Sequence, residues 1–368
     1  MTAVEPQRQR GLLQQLLWAY GPGGQERSVR DICLAELEPY VDETWVDKAG
    51  NLIGFLRGSD RSVVRGNSYD DARATRVVAH MDELSMMVKR VQPDGTLHVT
   101  PSGTMYPANF GLGPVAVLGD RQTMTAVLAL GSEHTTQESE RIWQTKPDKG
   151  DRSLDWMHVY VFTGRTTEEL AAAGVHPGTR VCIARDKRTI TEVGDFLGSY
   201  FMDDRAAVTA LLQTARQLHE RARRPIDDTY FVFTTNEEIG GVGAAYAART
   251  LPGDLTLALE VGPTEAEYGT QVGGGPIVAY GDSLCDYDKS VADRLMRVSD
   301  RLGHAPQAAV LGAFESDASH VKAIGLSPRS GLLCLPTLST HGYEVIPRDV
   351  ITAMSEVVIE FLVGDPDG

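Results

Sequence analysis

The strongest constraint on this chain is a change of texture along its length. Up to about residue 84, and again after about residue 189, short apolar runs alternate with stretches of helical periodicity. Between these limits the runs are short, alternate in polarity and are separated by turn residues such as Pro93-Asp94-Gly95. Strands alternating with helices favour a parallel or mixed sheet covered on both faces. A series of short alternating strands favours a small β domain. The expected fold is therefore an α/β domain over 1–84 and 190–368 with a β-rich domain inserted at 85–189. A length of 368 residues suits two such units, being long for one core and short for three.

Within the α/β parts, strands are expected at 45–46, 52–56, 76–79, 230–234, 255–261 and 308–311. Helices are expected at 7–18, 28–37, 204–221, 244–249, 289–302 and 350–362, the last capped by Asp349. The inserted part carries candidate strands at 86–91, 96–100, 115–117, 125–130, 159–162 and 180–183, and one short helix at 166–173. The polar stretches 58–73 and 132–155 read as exposed loops.

Charge excludes one class of partner. Asp plus Glu total 50 against 35 Lys plus Arg, a net charge of -15 with no dense basic run. Such a field repels nucleic acid. No run approaches the 18 or so apolar residues of a membrane span. The polar first ten residues do not resemble a signal peptide. Cys33, Cys182, Cys285 and Cys334 are widely spaced, with no CxxC pair, and read as reduced thiols of a cytoplasmic protein.

Five segments place His, Asp or Glu at a strand end or helix start. They are Ala79-His80-Met81-Asp82-Glu83, Met202-Asp203-Asp204-Arg205, Thr235-Asn236-Glu237-Glu238-Ile239-Gly240-Gly241, Ala258-Leu259-Glu260-Val261-Gly262 and Ser339-Thr340-His341-Gly342-Tyr343. Taken singly, each is ordinarily a solvated loop or a helix cap. In open α/β sheets, however, ligands bind beyond the carboxyl ends of the strands, where separate segments converge. Two histidines with several carboxylates form a mixed nitrogen and oxygen donor set, suited to zinc, cobalt or manganese rather than calcium. Two such ions need about three protein ligands each. One bridging carboxylate lets five residues meet that need, and His80, Asp203, Glu238, Glu260 and His341 have the right count. Glu237 is then left over as a general base.

In these residues the chain resembles the tetrahedral (TET) aminopeptidases, the dizinc glutamyl and deblocking aminopeptidases once labelled cellulases. The histidine segment, the Asp203-Asp204-Arg205 segment and the Glu237-Glu238-Ile239-Gly240 segment match the family's motifs in order. The β-rich insertion follows the first of them, and the match spans nearly the whole chain. The resemblance implies a dizinc exopeptidase-like sheet with a β-barrel or PDZ-like insert. It implies that His80 and Glu260 hold one ion, Glu238 and His341 the other, and that Asp203 bridges them. Glu237 would be the base and Asp82 would orient His80. A cis peptide between Asp203 and Asp204, a supporting role for Asp317, and a dimer-based homo-oligomer as large as a dodecamer are implied as well. Three features depart from the family. Glu260 stands where Asp is usual, the His341 segment is worded differently, and 132–155 has no clear counterpart.

The expected function is a metal-dependent aminopeptidase acting on short peptides, with two divalent ions per subunit, zinc first and cobalt or manganese as alternatives. A related dimetal dipeptidase, carboxypeptidase or N-acyl amino acid amidohydrolase would use the same ligands. The position of the insertion favours the aminopeptidase. A relic binding protein would have lost a costly polar position, and none is lost here. A glycosidase needs a carboxylate pair without the histidines.

Overall fold

The computed structural model describes residues 4–59, 74–147, 150 and 152–364. Most of the expected loop at 58–73 lies outside the described residues, as do 148, 149 and 151 of the polar stretch. The chain divides into two compact units. The larger holds residues up to Glu83, Ile190–Thr340 and Glu344 onward, and the smaller holds Leu84–Thr189 with His341–Tyr343.

Strands β1 (Glu43–Val46), β2 (Leu52–Leu56) and β3 (Ala74–His80) precede the insertion. The insertion contributes β4 (Ser85–Val91), β5 (Leu97–Ser102), β6 (Gly113–Leu118), β7 (Thr123–Ala129), β8 (Tyr160–Phe162) and β9 (Arg180–Ile183). After it come β10 (Thr191–Val193), β11 (Phe196–Tyr200), β12 (Asp228–Thr234), β13 (Leu255–Pro263), β14 (Ile277–Asp282), β15 (Gln307–Leu311), β16 (Arg329–Thr337) and β17 (Tyr343–Pro347).

In the larger unit, eight strands form one sheet in the order β1-β2-β12-β3-β13-β16-β14-β15. The four central strands β12, β3, β13 and β16 run parallel. β3 is buried along its whole length and β13 at all but its last residue, as expected of strands covered on both faces. Helices Met202–Glu220, Lys289–Arg301 and Val350–Val363 pack in one group against the sheet, and Val242–Thr250 with Asp317–Ala323 in another. Helix Met202–Glu220 is buried from Met202 to Leu218. Its Ala, Val and Leu pack the core, while Thr209 and Thr214 return their hydroxyls to the carbonyls of Arg205 and Ala210. Strands β10, β11 and β17 form a separate sheet of three.

The smaller unit is a closed barrel in the order β4-β5-β8-β7-β6-β9. Its side chains follow the pleat, and β7 alternates exposed and buried positions from Thr123 to Leu128. The inward set includes Met86, Val88, Leu97, Val117, Leu128, Val161 and Val181. Helix Thr167–Ala173 opens on a capping box between Thr166 and Glu169 and closes on Gly174, at φ +80°.

Several sequence expectations need correction. Asp349 sits at the N-cap position of helix Val350–Val363, but its side chain makes no capping bond there. β14 and β16 belong to the large sheet although no strand was expected at either place. Gly331 and Pro336 interrupt the β16 pattern, and a Gly-Gly-Gly-Pro run precedes β14. Helix Asp317–Ala323 and strands β10, β11 and β17 were also not anticipated. The stretch 132–155 contains one helical turn, Glu140–Trp143.

Candidate active site

The parallel neighbours β12, β3 and β13 end at one edge of the sheet, and that edge gathers the polar side chains. In register, His80 lies opposite Thr234, so the residue closing β3 stands beside the residue closing β12. Glu260 lies near the end of β13, opposite Cys334 of β16. The chain from β12 to β13 crosses over β3, the arrangement that opens a crevice at the carboxyl ends.

The His80 imidazole is the hub. Its Nε2 lies 3.0 Å from Asp203 Oδ1, 3.5 Å from Glu260 Oε1 and 3.9 Å from Glu237 Oε2. Its backbone amide donates to Asp204 Oδ2 at 3.1 Å. Three overlapping groups of metal-competent side chains result, with ligand atoms within 4.8 Å of one another: His80 with Asp203 and Glu238, His80 with Glu237 and Glu260, and Asp203 with Asp204 and Glu260. All are buried except Glu238, which is partly exposed.

Asp203 and Asp204 open helix Met202–Glu220 in non-helical conformations, joined by a cis peptide bond. Phe201 before them is left-handed at φ +64°, an unfavourable region for a bulky residue. Asn236, just before Glu237, is left-handed at φ +55°. Left-handed backbone therefore precedes both acidic pairs.

Electrostatics match this crowding. Burial pushes the carboxyls of Asp204, Glu237, Glu238 and Glu260 well above the ordinary carboxylate range, and neighbouring carboxylates add to the rise. Burial alone would lower the His80 pKa. The Glu260 charge and the Asp203 and Asp82 carboxylates outweigh it, and His80 is pushed well up. Both shifts describe one condition: several buried negative groups around a single imidazole, which favours bound protons or bound cations.

Asp82 is fully buried, with its Oδ1 3.5 Å from His80 Nδ1. That nitrogen makes no hydrogen bond among the described residues. The Asp82 oxygens instead accept from the amides of Glu237 (2.9 Å) and Glu238 (3.2 Å). Asp317 is buried, accepts a hydrogen bond from Thr234 Oγ1, and is pushed up to about 7 by burial. His341 belongs to the smaller unit, left-handed at φ +60°, with Nδ1 2.6 Å from Thr104 O. The three groups of metal-competent side chains do not include it.

Other parts of the site were not singled out in the sequence. The Arg205 guanidinium is fully buried, 2.8 Å from Glu83 Oε2, and donates to the carbonyls of Met81, Asp82 and Leu16. It ties the turn after His80 to the helix bearing Asp203. Glu344 accepts from the Asp203 amide at 3.0 Å. The Asp-Asp-Arg motif contains Arg205, but its Glu83 partner is 122 residues away. Two further histidines have acidic partners in space: His176 lies 3.2 Å from Asp120, and His304 lies 3.0 Å from Glu356.

Comparison with known proteins agrees with this architecture. The chain is 26% identical over 294 residues to a lysyl aminopeptidase of Pyrococcus furiosus, covering 78% of this chain and 77% of that protein. A TET aminopeptidase from a marine-sediment Thaumarchaeota archaeon superposes with a TM-score of 0.85 at 22% identity, over 97% of this chain and 96% of the other. The Pyrococcus horikoshii TET1 peptidase, described as assembling into a tetrahedron or a large octahedral shell, superposes with a TM-score of 0.80 at 19% identity, over 97% and 100% of the two chains. The M42 glutamyl aminopeptidase profile matches residues 62–357, which takes in every candidate residue above, and the chain belongs to that family of peptidases.

Proposed function

We propose that this protein is a metal-dependent aminopeptidase that removes N-terminal residues from short peptides. The observation that carries the reading is the meeting of one imidazole with five carboxylates, from Asp203, Asp204, Glu237, Glu238 and Glu260, at the carboxyl edge of β3, β12 and β13.

The donor set fits divalent cations. Carboxylates this close and this buried destabilise one another unless positive charge lies between them. One histidine with carboxylates suits zinc, with cobalt and manganese as alternatives. His80, Asp203, Glu238 and Glu260 would hold two ions per subunit, and the family resemblance adds His341. Bound there, the ions would supply Lewis acidity to the peptide carbonyl and make the attacking water more acidic.

The protein's own step is proton transfer. Glu237 takes the proton of the attacking water and returns it to the leaving amine. Burial raises its proton affinity, and a base poised nearer the working pH can perform both transfers. Asp82 fixes the turn beneath Glu237 through two amides. Four free cysteines agree with work in the cytoplasm, and no helix among the described residues is long and apolar enough to cross a membrane. Assembly is proposed as a dimer-based homo-oligomer, as large as a dodecamer, through the inserted barrel.

The test is Glu237→Gln, assayed on aminoacyl-anilides with N-acetyl amino acids as the contrasting panel. Bound metal should stay at the parent level while kcat falls roughly 100-fold or more. Near-normal turnover, or a preference for the N-acetyl panel, would overturn the reading.

A further inference from the structure

The turn that carries Glu237 is held from outside at four consecutive backbone amides. Thr235 N donates to Asn51 Oδ1 at 3.0 Å and Asn236 N to Glu26 Oε1 at 3.3 Å. Glu237 N and Glu238 N donate to the two oxygens of Asp82 at 2.9 and 3.2 Å. Beyond them the turn closes on itself. Gly240 N and Gly241 N reach Glu237 O, Val242 N reaches Asn236 O, and Gly243 N reaches Thr235 O. The close passage of this last turn requires glycine at 243, where a Cβ would lie 2.4 Å from both Asn51 Oδ1 and Thr235 O.

Glu26 is the unexpected member. It is only 4% exposed and immediately precedes helix Arg27–Leu37, yet its side chain caps no amide of that helix. Its Oε1 instead accepts from Gly24 N at 2.7 Å and from Asn236 N. Glu26 is in none of the metal-competent groups. A buried carboxylate is retained at a cost unless its hydrogen bonds compensate. Here one of those bonds grips the left-handed residue directly before the proposed base.

We infer that Glu26 is a positioning residue, holding the Asn236 amide so that the turn keeps Glu237 in reach of its proton. The inference rests on the reading of Glu237 as the base. A general base works only within hydrogen-bond reach, about 2.6–3.2 Å between heavy atoms, of the group whose proton it takes. A left-handed asparagine has other backbone conformations to relax into once its amide is released. The competing possibility is that Glu26 only fastens the loop 21–26 through Gly24, with no consequence for turnover.

Glu26→Ala and Glu26→Gln separate these, measured in the full-length, zinc-loaded protein. Readouts are kcat and KM on an aminoacyl-anilide, bound zinc by elemental analysis, and hydrogen exchange of peptides spanning 235–241. For Glu26→Ala the expected result is a roughly 10-fold fall in kcat, with KM and bound zinc little changed and faster exchange at 235–238. Glutamine keeps an acceptor oxygen at the same reach and should restore both turnover and protection. If Glu26→Ala does not fold, Glu26→Asp takes its place, since it keeps the charge but falls one methylene short of Asn236, and the same losses are expected. Parent-like kcat and exchange in the alanine or aspartate variant would overturn the inference. So would a glutamine variant as impaired as alanine, because charge rather than the amide bond would then be responsible. A failure of the base reading shows separately, as an active Glu237→Gln enzyme.

Discussion

The barrel and the carboxyl edge of the large sheet are built by opposite rules. In the barrel several elements do what their neighbours in sequence suggest: β7 alternates out and in, Thr166 and Glu169 close a capping box, and Gly174 ends the helix. At the sheet edge, His80, Asp82, Glu83, Asp204 and Arg205 are all at most 1% exposed, and Phe201 and Asn236 adopt left-handed backbone. The barrel is stabilised by local agreement. The edge holds groups that are unfavourable where they stand and are compensated largely by residues far along the chain. The contrast marks where the fold gives up stability in exchange for chemistry.

Three experiments would break or sharpen this contrast. The largest effect is expected from Arg205→Met, which removes the cation facing Glu83 and the bonds to three carbonyls. We expect a loss of about 3–5 kcal/mol, measured by denaturant unfolding. A loss below about 1 kcal/mol would mean that the edge is not held by this ion pair.

Metal removal comes next. His80, Asp204, Glu237, Glu238 and Glu260 bind protons more tightly folded than unfolded, and Asp317 is raised from an ordinary 3.8 to about 7. For raised carboxyls, stability declines as pH climbs above the unfolded value. For a raised histidine, it is lost as pH passes the folded value. The two add, so the Tm of chelator-treated protein should fall as pH rises from about 4 through about 7, the span of the Asp317 shift. Zinc-loaded protein should lose much less, because cations favour the ionised carboxylates. The metal-competent groups found among the described residues all lie in the larger unit. Equal pH slopes with and without metal would remove the electrostatic distinction between the regions.

The smallest effect belongs to the barrel. Thr166→Ala deletes one cap bond and should cost about 1 kcal/mol while leaving kcat unchanged. A change in turnover would show that the two regions are less independent than their construction suggests.

The same contrast explains what the sequence made legible. Barrel strands are legible close to their true bounds because turn residues and alternation are local signals. Candidate residues at the edge were recognisable because His80, Asp203 and the Glu237-Glu238 pair sit at strand ends and helix starts within short motifs. What holds them was not legible. Glu26 meets Asn236 across 210 residues, and Glu344 meets Asp203 across 141. No periodicity or motif encodes a carboxylate that serves a distant amide. β16 was missed for the opposite reason: a central strand takes its stability from β13 and β14 and tolerates Gly331 and Pro336 against local propensity.

Closure of the barrel also bears on how copies of this protein could meet. A sheet that returns on itself presents fewer unpaired amides and carbonyls to a neighbour than an open one, although here the short β8 pairs with β5 only at Leu97. Strand-to-strand extension from one molecule to the next therefore has little edge to build on in this unit. Recognition through it would then rest mainly on side-chain shape, and Tyr106, Met157 and Phe162, each more than half exposed, are among the surfaces it offers. An assembly of that kind can be dissolved by changing a few aromatic or apolar side chains, without disturbing a single backbone pairing.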